Sequence, residues 1–203
     1  MKTAVIVTTY NRPDALRLVL NALANQSVLA DQVVVADDGS TQSTADCIAS
    51  FQDKLPLVHA WQADQGFRAA AARNLAVSRS VCDYLIFLDG DCVVPHDFIE
   101  KHQRLAEQGW FVAGNRILLT PGLTQHVIEE QTELSAWSTY QWFWQSYRGG
   151  CNRWTPRVYV PGQFWRKQRP TRWQQARTCN LALWRQDFHA FNGGPIEPLF
   201  LAS

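Results

Sequence analysis

No segment of this chain reaches the ~18 consecutive apolar residues that a bilayer-spanning helix needs. The opening, MKTAVIVTTYNRP, is apolar only from Ala4 to Val7. That is too short for a signal-peptide core, so the expectation is a cytoplasmic, non-spanning protein. Cysteine is sparse and unpaired in pattern: Cys47, Cys82, Cys92, Cys151 and Cys179 are odd in number and show no Cys-x-x-Cys spacing. A disulfide framework and a structural zinc site are both disfavoured, and a reducing compartment fits. Repeats and low-complexity tracts are absent.

Negative charge is missing from one long window. Between Leu134 and Gln186 there is no aspartate or glutamate but nine basic residues, Arg148, Arg153, Arg157, Arg166, Lys167, Arg169, Arg172, Arg177 and Arg185. Seven of the nine tryptophans fall in the same window. Tryptophan faces and arginines there suit a glycan or anionic acceptor, or an anionic membrane surface. At Trp137, Trp142 and Trp144, helical spacing favours plain core packing instead. No recognised nucleic-acid module frames the patch, so nucleic acid is not an expected partner.

What is present has a clear order. Thr3–Thr9, Gln32–Asp37, Leu57–Trp61 and the run DYLIFLD ending at Asp89 read as strands. They alternate with helical patterns: one starts at Pro13 with Leu16, Val19, Leu20 and Leu23 on one face, and another is capped by Ser40 or Thr41. The third is the alanine-rich run RAAAARNLAVSRS from Arg68, and the fourth spans PHDFIEKHQRLAEQ. Strands alternating with helices imply a mostly parallel sheet covered on both faces, an α/β fold in one domain. WFVAGNRILL looks like a strand broken by Gly114, and LTQHVIEEQTELSAWSTYQWFW has continuous helical spacing. TCNLALWR reads as a strand and RQDFHAF as a short helix.

In such sheets ligands sit beyond the carboxyl ends of the strands. Three polar clusters fall there: Thr8-Thr9-Tyr10-Asn11, Asp37-Asp38-Gly39-Ser40, and Asp89-Gly90-Asp91. Each alone also reads as a turn or helix cap, with Asp91 capping the helix around Pro95. Together they suit a hard divalent cation, Mn2+ or Mg2+, held by one or two carboxylates and substrate phosphates. Cys92 beside the pair reads as a small residue in a turn rather than a soft ligand. Arg68 and Arg73, at the start of the alanine-rich helix, suit an anion such as a diphosphate.

VIVTTYNRP, VVVADDGSTQST, GFRAAAARN, FLDGDCVVP and TCNLALWRQDFHAFNG, in this order, resemble the family 2 glycosyltransferases of the GT-A fold. The nearest likeness is to bacterial enzymes that extend lipopolysaccharide or capsular glycans. The resemblance implies a Rossmann-like sheet with a nucleotide-sugar half at 1–119 and an acceptor half at 120–203. It also implies inverting transfer of a sugar from a nucleotide diphosphate, with a leaning to UDP, to a glycan or lipid-linked acceptor at a membrane face. Carried over by residue, Thr9, Tyr10, Asn11, Arg12, Asp38 and Gly39 belong to the nucleotide side. Arg68, Arg73 and Asn74 belong to the diphosphate side. Asp89 and Asp91 form the Asp-x-Asp pair, Asp91 nearer the metal and Asp89 nearer the ribose and sugar. Asn180 and Trp184 line the sugar or acceptor side.

The tail departs from the family pattern. After FNG the chain reads GPIEPLFLAS, where the resemblance leads one to expect an aromatic-acid pair and then an acidic motif carrying the catalytic base. Asp187 and Glu197 are the remaining candidates for that base, and neither fits well. A truncated or frame-shifted end, and a binding remnant without transfer, is therefore an alternative. A nucleotidyltransferase is a second one, although TTYNRP lacks the glycine-rich phosphate loop that class carries after its first strand.

Overall fold

The computed structural model describes residues 1–157 and 178–191. Among the described residues six strands form one sheet: β1 (Thr3–Thr9), β2 (Gln32–Asp37), β3 (Leu57–Trp61), β4 (Tyr84–Asp89), β5 (Val112–Ala113) and β6 (Asn180–Trp184). Their order is β3-β2-β1-β4-β6-β5. The first four are parallel, β6 runs antiparallel to β4, and β5 antiparallel to β6. The helices are α1 (Pro13–Ala24), α2 (Gln42–Ala49), α3 (Ala69–Arg79), α4 (Phe98–Leu105), α5 (Pro121–Glu129), α6 (Thr139–Tyr147) and α7 (Arg185–Phe191).

The period-2 alternation of strand side chains divides the core in two. Val5, Val7, Val33, Val35, Ile86 and Leu88 face α1, α2 and α4, meeting Leu16, Val19, Leu20, Leu23, Ile48 and Ile99. Ala4, Ile6, Val34, Ala36, Leu85 and Phe87 face the other way, onto Ala72, Ala76 and Val77 of α3 and Phe188 of α7. Both sides of the sheet are thus covered, which is why its strands read as unbroken apolar runs. The alanines of α3 let that helix approach the sheet closely, and this brings Arg73 to the strand ends.

The second half departs from its sequence pattern in two places. The strand expected across residues 110–119 joins the sheet at Val112–Ala113 and otherwise pairs through a single antiparallel bridge from Leu119 to Cys151. The helical run from Leu123 to Trp144 is two α-helices with a 3-10 turn, Leu134–Ala136, between them. Gln131, in left-handed conformation at φ 49°, ends the first, and a reciprocal Ser138–Gln141 capping box starts the second. The Ser-x-x-Gln spacing of that box is legible in the sequence. Leu18, Val127, Leu134, Trp142 and Cys151 form a third apolar cluster that attaches α5 and α6 to α1. The core reading holds for Trp142, while Trp144 is exposed.

Candidate active site

Hydrogen bonds between strand ends draw the three polar clusters together. The Asp38 amide donates to the Thr9 carbonyl (3.1 Å), and the Gly90 amide to the Thr8 carbonyl (2.7 Å). The carboxyl ends of β1, β2 and β4 are thereby joined into one edge.

On the β2 side two adjacent aspartates take different tasks. Asp37 is fully buried; it accepts from the Ser40 amide (2.8 Å) and lies 2.8 Å from His59 Nε2. Burial pushes its carboxyl upward, but the bonds from His59 and Ser40 outweigh that, and its pKa ends below the ordinary value. Asp38 accepts from Gln62 Nε2 (2.6 Å) through Oδ1 and from the Arg68 amide (2.7 Å) through Oδ2. It ties β2 to the start of α3. Gly39 has φ 96°, and a Cβ there would lie 2.5 Å from the Asp64 backbone, so only glycine fits.

The loop after β1 closes over this edge. Tyr10, half-exposed, donates from its hydroxyl to Asp64 Oδ2 (2.9 Å). Asn11 adopts φ 48°; its amide donates to Ser40 Oγ (2.9 Å), and its Oδ1 accepts from the Thr41 amide (2.9 Å). Ser40 and Thr41 are thus engaged with Asn11, and neither side chain caps α2. Arg12 pairs with Asp14 at the surface (3.4 Å) and borders the cavity described below.

Arg73 is the cationic centre of the site. Its buried guanidinium donates from Nε to Thr8 Oγ1 (2.9 Å) and from Nη2 to Asp89 Oδ1 (3.1 Å). Arg68 donates from Nη2 to the Ala63 carbonyl (2.6 Å), while its enclosed Nε has no hydrogen-bond partner. Asn74 is half-buried on α3, its Oδ1 enclosed and without a hydrogen bond.

Ligand atoms of Asp89, Asp91 and Cys92 lie within 4.8 Å of one another. Burial raises the Asp89 pKa above the ordinary carboxylate value; Asp91 adds to that, and Arg73 opposes it. Burial and the two carboxylates also raise the Cys92 thiol, which donates to Asp91 Oδ1 (3.5 Å). A protonated thiol is no ligand for a hard cation, whereas the two carboxylates are the right donors for Mn2+ or Mg2+. The enclosed, unpartnered Thr9 Oγ1 lies against Gly90 in the same turn. Asp91 does not cap the next helix, which begins at Phe98 after Asp97, so the cap reading is removed, while Asp91 stands exposed in the turn after β4.

A cavity of about 630 Å³ adjoins the acid pair, with Asp91, Cys92 and Asn180 on one side and Val127, Leu134 and Trp142 in its apolar part. Asn180, opposite Leu88 in the sheet, is positioned by His102: Nε2 lies 2.9 Å from Asn180 Oδ1, and Asn180 Nδ2 donates to the Asn115 carbonyl (3.4 Å). Burial lowers the His102 pKa to about 4, so the ring is neutral and its Nε2–H is the donor. Gly114 leaves room for this amide, since a Cβ there would overlap the Asn180 side chain.

Two expected site residues are elsewhere. β6 runs antiparallel, so Trp184 sits opposite Tyr84 at the far end of β4, ~17 Å from Asp89 at strand rise. It packs edge-on against Tyr84 there, with ring centroids 5.7 Å apart. Asp187, on α7 at that same far edge, accepts from the Gly109 amide (3.1 Å) and is withdrawn as a candidate base. Glu197, the tail and most of the Arg148–Arg177 loop lie outside the described residues. Sequence reasoning missed His59, Gln62, Asp64 and His102. Each acts through a partner distant in the chain, and no local pattern marks it.

Residues 4–180 match the family model described as Glycosyl transferase family 2. Validoxylamine A glucosyltransferase of Streptomyces hygroscopicus subsp. jinggangensis (strain 5008) is 35% identical over 100 residues, 48% of this chain and 24% of that protein. Hyaluronan synthase of Pasteurella multocida is 38% identical over 89 residues, 43% of this chain and 9% of that protein. The chain therefore spans a quarter or less of these two curated relatives. Among solved structures, the mannosyltransferase PcManGT from Pyrobaculum calidifontis, in complex with GDP-Man and Mn2+, is similar at TM-score 0.50 and 24% identity. That match covers 62% of this chain and 38% of that one, and the likeness is one of fold. The GT-A type α/β architecture expected from the motifs is the one found. The chain belongs to glycosyl transferase family 2.

Proposed function

We propose that this chain binds a nucleotide-diphosphate sugar, UDP-linked in the first instance, and transfers the sugar with inversion to a glycan or lipid-linked acceptor. The observation that carries this reading is the convergence of Asp38, the Arg73–Asp89 pair and Asp91 on one sheet edge beside a deep cavity. Residues 1–119 supply the donor half, with Thr9, Tyr10, Asn11 and Asp38 around the base and ribose. Arg73, and Arg68 and Asn74 with it, face the diphosphate. Asp91 and Asp89 would hold Mn2+ or Mg2+, which when bound offsets charge on the leaving diphosphate. Asn180, held by His102, lies on the sugar side, and residues 120–203 contribute the acceptor half at the cytoplasmic face of a membrane.

A second reading, donor binding without transfer, is favoured by one observation. Asp91 is the single carboxylate lining the cavity among the described residues, and the segment after Phe191, where the resemblance places the base, lies outside them. Titration calorimetry of UDP with and without Mn2+ tests the common ground of both readings. Mn2+ is expected to tighten binding at least tenfold, and Asp91→Asn to abolish that gain. Equal affinities in the presence and absence of Mn2+ would refute the metal assignment. Turnover of a UDP-sugar panel then separates transfer from binding alone.

A further inference from the structure

The two faces of α6 differ in kind. Trp142 faces inward: it is buried, packs 5.0 Å from the Trp137 ring, and lines the cavity that adjoins Asp91. On the opposite side Tyr140, Phe143, Trp144 and Tyr147 follow the i, i+3, i+4, i+7 spacing of a single helical stripe. They are 71%, 42%, 39% and 75% exposed. Scattered exposed aromatics are ordinary, whereas four in one row mark an interaction surface. Tyr147 stacks on Trp144 at 5.5 Å, and the Arg148 guanidinium lies 4.9 Å over the same ring. Arg153 follows, and no carboxylate occurs from Leu134 to Gln186. The face is aromatic, cationic at its C-terminal end, and free of anions along its own segment.

We propose that this face of α6 seats on an anionic membrane surface. Tyrosine and tryptophan, each with an apolar body and a polar tip, settle at the level of lipid headgroups. Arginines beside them are attracted to the negative surface. The helix is already formed, capped by Ser138 and Gln141 and anchored by Trp142, so docking orders little additional chain. No described helix is long and apolar enough to cross a membrane, and α6, nine residues long, meets lipid along its side. The inference rests on the proposed transfer only for its purpose. With the cavity on the inner face of α6 and lipid on its outer face, a lipid-linked acceptor needs to travel only a short distance to Asp91.

Co-sedimentation of the full chain with vesicles tests this, using phosphatidylcholine with one-third phosphatidylglycerol against phosphatidylcholine alone. Binding is expected to the anionic vesicles, weakening as salt rises. Arg148→Glu should lower the partition coefficient about fivefold or more. Tyr140→Ser with Tyr147→Ser should lower it several-fold, and Arg148→Lys should retain it. All three are surface changes, so thermal melting and UDP affinity should stay at the wild-type level. Absence of binding, equal binding to both vesicles, or binding untouched by Arg148→Glu and the double tyrosine variant overturns the proposal. So does capture of a soluble maltooligosaccharide in place of vesicles, which would make the face a glycan platform. Vesicle binding is read without nucleotide, so its failure is distinguishable from failure of the donor-site assignment.

Discussion

Replacing His102 by leucine should change how stability depends on pH, not only how large it is. The ring is buried and neutral, its Nε2–H engaged by Asn180, its Nδ1 enclosed without a partner. Burial lowers its pKa from 6.5 to about 4. Below pH 6.5 the unfolded chain takes up a proton that the folded chain refuses until about pH 4, so folded stability falls as pH drops through that window. The gap corresponds to a loss of about 3 kcal/mol, nearly complete at pH 4 and zero above pH 7. At neutral pH His102→Leu leaves Asn180 Oδ1 without its donor, at about 1–3 kcal/mol. The variant should therefore be less stable than wild type at pH 7.5 and approach or overtake it near pH 4.5. Urea unfolding followed by tryptophan fluorescence across pH 4–8 measures both curves. Parallel curves would refute a neutral, buried His102.

Arg73→Met should destabilise the fold by about 3 kcal/mol, because Asp89, at the half-buried end of β4, loses its cationic partner. Asp89→Leu in the same chain should recover part of the loss, and a double-mutant cycle in urea with coupling near zero would contradict the pairing. Gly39→Ala should weaken UDP binding and lower stability by more than 1 kcal/mol, since φ 96° and the Asp64 backbone both oppose a Cβ. Calorimetry and thermal melting of that variant check the two effects together.

The first half of the chain was legible because local and global signals agree there. Apolar runs such as Val33–Ala36 form central parallel strands, and Leu16, Val19, Leu20 and Leu23 are buried on α1 as their spacing predicts. The acid pair was visible as two carboxylates after a buried strand. Gln131 in left-handed conformation was not visible, and it divides a run whose spacing alone reads as one helix.

Sequence by itself determined which segments are strands, which polar residues follow them, and that one window carries arginine and tryptophan without acid. Tertiary structure alone decided the partners: Asp37 with His59, Asp38 with Gln62 and the Arg68 amide, Asn180 with His102. It also decided which end of each strand reaches the site. A period-2 apolar pattern is the same read in either direction, so nothing in NLALW shows that it runs antiparallel to β4. That reversal places Asn180 beside the acid pair and removes Trp184 and Asp187 to the opposite edge.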